Sequence, residues 1–130
     1  MEPYEGSVKL IRQLRHDGFK IAVVTSSQNC AAVLRAAKLE TFFDIRVDGN
    51  TILAEHLAGN PAPDTFLMAA KLLAVEPSRA IVIEDALSGV EAGSAGGFGL
   101  VIGVARKGNA EELRRHGAHF VVNDLGELAD

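Results

Sequence analysis

Gly18-Phe19-Lys20-Ile21-Ala22-Val23-Val24-Thr25-Ser26-Ser27 is the stretch on which the fold turns. From Lys20 to Val24 it runs Ile-Ala-Val-Val, an unbroken apolar burst of the kind found in strands covered on both faces. Gly18 ahead of it closes a helix, because glycine takes the left-handed cap conformation without a Cβ penalty. That helix is read over residues 5–17, with Val8, Ile11 and Leu14 on one side and Lys9, Arg12 and Arg15 on the other. Behind Thr25-Ser26-Ser27 a second helix runs from Asn29 to Leu39, with Val33, Leu34 and Ala37 as its inner stripe. A strand between two helices is the unit from which a parallel sheet is built.

The same alternation continues outward. A short strand is predicted near Asp44–Val47, then an irregular stretch through Asn60, then a helix over 63–74 with Phe66, Met68, Ala69 and Leu72–Leu73 as core candidates. Strand Ala80–Ile83, a small-residue helix through Ser94, strand Gly99–Val104, a helix near Asn109–His116 and strand His119–Val122 complete it. The expected architecture is α/β: one domain over 1–130, a three-layer sandwich with a mostly parallel sheet.

Composition sets outer limits on function. With 48% hydrophobic and 23% charged residues, the chain has enough apolar material to bury a core and is not a disordered segment. A net charge of -4 with dispersed Lys and Arg argues against nucleic acid or a membrane surface as partner, since both require clustered cations. Cys30 is the single cysteine, so no internal disulfide or zinc framework exists. Met1-Glu2-Pro3-Tyr4-Glu5 is not a secretory signal, and the lone thiol fits a cytoplasmic setting.

In an open parallel sheet, ligands bind beyond the carboxyl ends of the strands. Thr25, Ser26 and Ser27 occupy one such end. Their hydroxyls, with the free N–H groups of the helix that follows, suit an anion, although capping by Ser27 or Asn29 explains the same residues. Glu84-Asp85 follows the apolar strand Ala80–Ile83. Two carboxylates there are costly to desolvate without a cation, and hard oxygen ligands of this kind suit Mg²⁺. Alternatively Asp85 caps the next helix while Glu84 faces water. The loop Gly59-Asn60-Pro61-Ala62-Pro63-Asp64 reads simply as a helix start.

Three stretches carry more than their residues do singly: Gly18 to Ser27, Gly59-Asn60-Pro61-Ala62-Pro63-Asp64-Thr65-Phe66, and Ile83-Glu84-Asp85-Ala86-Leu87-Ser88-Gly89-Val90-Glu91-Ala92. In order and spacing they resemble the haloacid dehalogenase-like superfamily, specifically its β-phosphoglucomutase-like branch of sugar-phosphate phosphatases and mutases. The resemblance implies a Rossmann-like core and a phosphorylated small molecule as substrate. In the family so resembled, an Asp attacks phosphorus and a second Asp two residues later handles the leaving-group proton. The family's phosphate-holding hydroxyl maps onto Thr25, with Ser26 and Ser27 beside it. Its third motif falls on Asn60. Its metal motif falls on Glu84 and Asp85, which would hold Mg²⁺ with Asp85 as the direct ligand.

Two departures accompany the match. No Asp-x-Asp pair occurs in the 130 residues, and the family's third-motif Lys is Asn60, which donates hydrogen bonds but brings no charge. The expectation is therefore an incomplete core, without cap domain and without the nucleophile strand. In the family that strand lies between those leading to Thr25 and to Glu84. Its two neighbours would then be left with bare edges, be forced together, or be completed by a partner segment or a second copy. The function expected is that of a phosphatase or phosphomutase core with little or no activity as this chain. The competing function is a non-catalytic descendant that binds a phosphorylated ligand or a protein. Ser26, Ser27 or Cys30 as substitute nucleophiles lack a base, because His16, His56, His116 and His119 fall in surface or irregular segments.

Overall fold

The computed structural model describes residues 5–129, and within them helices and strands alternate. Helix α1 (Glu5–His16) leads to strand β1 (Ala22–Val24), helix α2 (Cys30–Ala36) and strand β2 (Ile45–Val47). Helices α3 (Gly49–Ala54) and α4 (Asp64–Leu73) precede strand β3 (Ile81–Glu84). Helix α5 (Leu87–Ala95), strand β4 (Leu100–Val104), helix α6 (Ala110–Arg115) and strand β5 (Phe120–Val122) follow. Short 3₁₀ turns occupy Glu40–Phe42, Pro77–Arg79 and Leu125–Leu128. Gly18 takes a positive φ of 86° behind α1, as the sequence implies.

Helix α3 corrects the irregular stretch read through Asn60. It is short and weakly apolar, and its cap holds it. Asp48 accepts hydrogen bonds from the N–H groups of Asn50 and Thr51, and Thr51 closes the box back onto the Asp48 N–H. Such a cap contributes about 1 kcal/mol. Arg46 also pairs with Asp48, and these donors overcome the burial penalty to hold the Asp48 carboxyl below its usual range. A second correction concerns α4. Leu72 is 47% exposed, while Phe66, Ala69 and Ala70 form the buried stripe.

All strand pairs are parallel, but they form two sheets. β1 pairs with β2, with Ala22 opposite Ile45, and β3, β4 and β5 form the other ladder in that order. Two buried clusters flank β1. Val23 packs with Cys30, Leu34, Leu39 and Val8 of α1; its neighbour Val24 packs with Phe66 of α4, Val82, Val90 and Leu113. Successive residues of a strand point to opposite faces, so the clusters lie on opposite sides of β1 and the three layers are established.

Between the two sheets lies a cleft of about 610 Å³. Its walls are β1, through Ala22 and Val24, and β3, through Ile81 to Glu84. Leu10 and Leu14 of α1 cover one face, and Phe66 and Ala69 of α4 the other. Arg106 reaches Ser7 of α1 and Asp124, which fastens α1 to the end of the chain and holds that cover in place. No helix among the described residues is long and apolar enough to cross a membrane.

Candidate active site

The cleft is lined as far as Val24 and Glu84, the last residues of β1 and β3, next to which Thr25 and Asp85 follow in the chain. At the end of β1 the Thr25 N–H donates to the Val47 carbonyl, which continues the ladder one residue past the strand. The Thr25 hydroxyl accepts from the Ser27 N–H at 3.2 Å, and the Ser27 hydroxyl accepts from the Asn29 N–H at 3.1 Å. Each oxygen is thereby fixed while its own proton stays available to donate. Ser27 thus shapes the approach to α2, whose N-cap Asn29 makes no side-chain cap bond. Ser26 is exposed, and its carbonyl lies so close to Gly49 that a Cβ there would stand 2.5 Å away. The two strand-end loops therefore touch.

Asn60 is exposed, and its side-chain oxygen accepts from the Thr65 hydroxyl at 3.5 Å, leaving its NH₂ group to donate. Asp64 accepts from the Ala58 N–H and ties down the loop that presents Asn60. Lys71 supplies no substitute cation here, since it lines a separate shallow depression with Glu76 and Pro77.

Glu84 ends β3 and turns back on its own chain. Its Oε1 accepts from the N–H groups of Asp85 and Ala86, both at 3.2 Å. The simple capping reading is not what occurs: Ala86 is the N-cap of α5, Asp85 is exposed, and Glu84 is half-buried. Burial, with the Asp85 charge adding to it, pushes the Glu84 carboxyl up to about 7 even against the two amides. No Lys or Arg pairs with either carboxylate among the described residues. As a donor set, one half-buried and one open carboxylate fit Mg²⁺, which takes one or two carboxylates and completes its shell with phosphate oxygens and water. A cation there would favour the ionised form of Glu84, offsetting the burial and the Asp85 charge that raise its carboxyl. The described residues contain no group of three or more acidic, His or Cys side chains arranged as a complete metal site.

Two contributors escaped the sequence reading. Gly89 makes room for Glu84, since a Cβ there would stand 2.1 Å from Glu84 Cγ and 2.6 Å from Oε2. Asp48 and Gly49 set the loop next to Ser26, and the Asp48-x-x-Thr51 spacing was the signal that could have revealed their cap. No hydrogen bond joins the three groups to one another; Glu84 lines the cleft, as does Val24, the residue before Thr25, while Asn60 is not among its lining residues.

The haloacid dehalogenase-like hydrolase family model matches residues 1–97. The chain belongs to that family. A β-phosphoglucomutase from Mycobacterium bovis is 51% identical over 128 residues, covering 96% of this chain and 49% of that protein. A trehalose-phosphate phosphatase from Mycobacterium leprae is 36% identical over 130 residues, covering 97% of this chain and 28% of that protein. Among solved structures, a haloacid dehalogenase family hydrolase from Deinococcus radiodurans, with bound phosphate and sodium, matches at a TM-score of 0.85 and 30% identity. The match covers 98% of this chain and 57% of that one. A β-phosphoglucomutase from Clostridium difficile matches at 0.81 and 30% identity, covering 95% and 51%. The Rossmann-like fold and the resemblance to sugar-phosphate phosphatases and mutases are thereby established. This haloacid dehalogenase-like chain spans about half the length of its mycobacterial β-phosphoglucomutase relative.

Proposed function

We propose that this chain supplies the phosphate-holding and Mg²⁺-holding parts of a phosphoryl-transfer site for a sugar phosphate. One observation carries the reading: hydroxyl donors end one wall of the cleft and a carboxylate pair ends the other. The proton of Thr25, together with those of Ser26, Ser27 and the Asn60 amide, would bind phosphoryl oxygens. Asp85, with Glu84 behind it, would hold Mg²⁺, which when bound offsets charge on the phosphate. An attacking carboxylate has no candidate among the Asp-x-Asp-free 130 residues, so turnover by this chain alone is expected to be undetectable. Its lone, buried thiol fits work in a reducing cytoplasm.

Calorimetric titration with inorganic phosphate, with and without Mg²⁺, tests the reading. Binding should require Mg²⁺ and weaken roughly tenfold or more in Asp85→Asn. Binding that ignores both EDTA and this substitution would remove the metal from the site.

Asn60 favours a second reading, in which the site binds a phosphorylated ligand without turning it over. It stands where the family places a charge and has none. Asn60→Lys should then tighten phosphate binding several-fold. Mg²⁺-dependent phosphatase activity that disappears in Asp85→Asn would refute this non-catalytic version.

Gly89→Ala probes the metal half alone. The added methyl displaces the Glu84 side chain rather than backbone, so Mg²⁺ affinity should drop roughly tenfold. Thermal unfolding should shift by only a few degrees, and an unchanged Mg²⁺ affinity would separate Glu84 from the metal.

A further inference from the structure

Asp48 carries a carboxylate into the protein at 4% exposure. A charge so placed is costly unless its oxygens are well engaged. Here Oδ1 accepts from the N–H groups of Asn50 and Thr51 and from the Thr51 hydroxyl, and Oδ2 accepts from Arg46. The helix so capped returns little burial: α3 has six residues, and Gly49 is the one of them that is buried.

What the cap does hold is a corner pressed against the hydroxyl-bearing loop after β1. The Gly49 N–H donates to the Ser27 carbonyl at 2.8 Å, and the Asn50 side-chain amide donates to the Gln28 carbonyl at 3.4 Å. Just before the corner, the Val47 carbonyl accepts from the Thr25 N–H. The approach is tight. A Cβ on Gly49 would stand 2.5 Å from the Ser26 carbonyl oxygen and 2.7 Å from Gln28 Cγ. Ser26, Ser27, Gln28 and Asn29 are all exposed, so burial does little to place them. The bonds from the Ser27 N–H to Thr25 and from the Asn29 N–H to Ser27 set the shape of the loop, and the corner sets where that shape sits.

We infer that Asp48 is a positioning residue for phosphate binding: by capping α3 it fixes Gly49 and Asn50, and through them the place of Thr25, Ser26 and Ser27. Its own carboxylate is engaged inside the corner, so it acts through backbone groups rather than on the ligand. The inference rests on the phosphoryl-transfer reading for its ligand. The placement of the loop is measurable without phosphate.

Amide hydrogen exchange, and calorimetric titration with Mg²⁺ and inorganic phosphate, test it on the intact chain. In Asp48→Ala, exchange at the Ser27 and Asn29 amides should accelerate roughly tenfold, the usual effect of losing an N-cap, while the Asp85 and Ala86 amides keep their rates. Phosphate affinity should fall roughly tenfold with Mg²⁺ affinity unchanged. Asp48→Asn retains an oxygen to cap α3 and should recover phosphate affinity to within about threefold of the parent. Gly49→Ala keeps the cap but pushes on the Ser26 carbonyl, and should weaken phosphate binding as Asp48→Ala does. Faster exchange at all four amides alike would show that Asp48 only stabilises the fold, and would overturn the inference. So would phosphate affinity that is unchanged in both Asp48→Ala and Gly49→Ala. A parent chain that binds no phosphate would defeat the phosphoryl-transfer reading instead. Selective exchange at Ser27 and Asn29 would then still support the positioning by Asp48, and unselective exchange would still refute it.

Discussion

Leu113→Ala should lower the free energy of unfolding by about 2–5 kcal/mol, a large share of the about 5–15 kcal/mol typical of a domain this size. Leu113 is 0% exposed and is the one buried residue of α6. It packs against β4 where Gly103 leaves the strand surface bare; a Cβ at Gly103 would already stand 3.2 Å from Leu113 Cβ. Truncation removes apolar burial and leaves a hole that the rigid β4 backbone cannot close. Urea denaturation followed by circular dichroism reads the loss directly. Cys30, buried in the cluster on the opposite face, offers a second reading through thiol labelling. β1 contributes Val23 to one cluster and Val24 to the other, so the two faces should unfold together. Labelling of Cys30 should then accelerate by the same factor as the equilibrium loss, about 30-fold for 2 kcal/mol. A labelling rate that stays constant in Leu113→Ala would show that the two layers open independently.

The elements that position the site were legible because period and punctuation agree there. Ile21–Val24 and Ile81–Ile83 are apolar on both sides and end abruptly in polar residues, so their carboxyl ends, and hence Thr25 and Glu84, could be read from the sequence. The α3 helix was not legible, since no apolar stripe marks it; the Asp48–Thr51 cap marks it instead, and caps are easily missed where the helix is short. Periodicity likewise pointed to Leu14, Ile11 and Val8 on α1, whereas Leu10 is the most buried of that face. The reason lies outside the helix: α1 is aimed by its contact with the Leu125–Leu128 turn and by Arg106, which are remote in sequence. Bare strand edges were among the outcomes expected from the sequence, and β1-β2 and β3-β4-β5 do form separate ladders. That the edges stay apart rather than collapse together depends on α4 bridging both sheets, and no local pattern encodes that.

The chemistry of Glu84 was similarly half-visible. The sequence places two carboxylates after a buried strand, but only the folded chain shows which one carries the strain. In metal-free buffer, Glu84→Gln should stabilise the protein at pH 8 by about 3 kcal/mol at most and leave its stability at pH 4 nearly unchanged. Glu84 has its folded-state pKa raised from 4.5 to about 7, chiefly by burial, with the Asp85 charge adding to it. Below the unfolded value both states carry the proton and the residue costs nothing. As pH rises from 4.5 toward 7, the unfolded chain gives up the proton first, so the native state binds more protons and stability declines. Above 7 the native state must ionise a half-buried carboxylate, and the cost is fully present, at about 1.4 kcal/mol for every tenfold weakening of its acidity. Gln keeps an oxygen to accept from the Asp85 and Ala86 amides but carries no charge at any pH, so the decline across that window should flatten. Asp44 and Asp48 do not confuse the measurement. Both are lowered from 3.8, Asp44 chiefly by its Arg15 hydrogen bond and Asp48 by Thr51 and Arg46 against burial, so their contributions are lost only as pH falls below that value. Melting temperatures of both proteins from pH 4 to 8 provide the check. Parallel curves across pH 4.5 to 7 would show that the ionised Glu84 finds solvent or a donor, and that a cation is not needed to keep two charges at the end of β3. Convergence of the curves on adding Mg²⁺ at pH 8, by stabilising the Glu84 protein more than the Gln variant, would instead tie that cost to the Mg²⁺ proposed for the carboxylate pair.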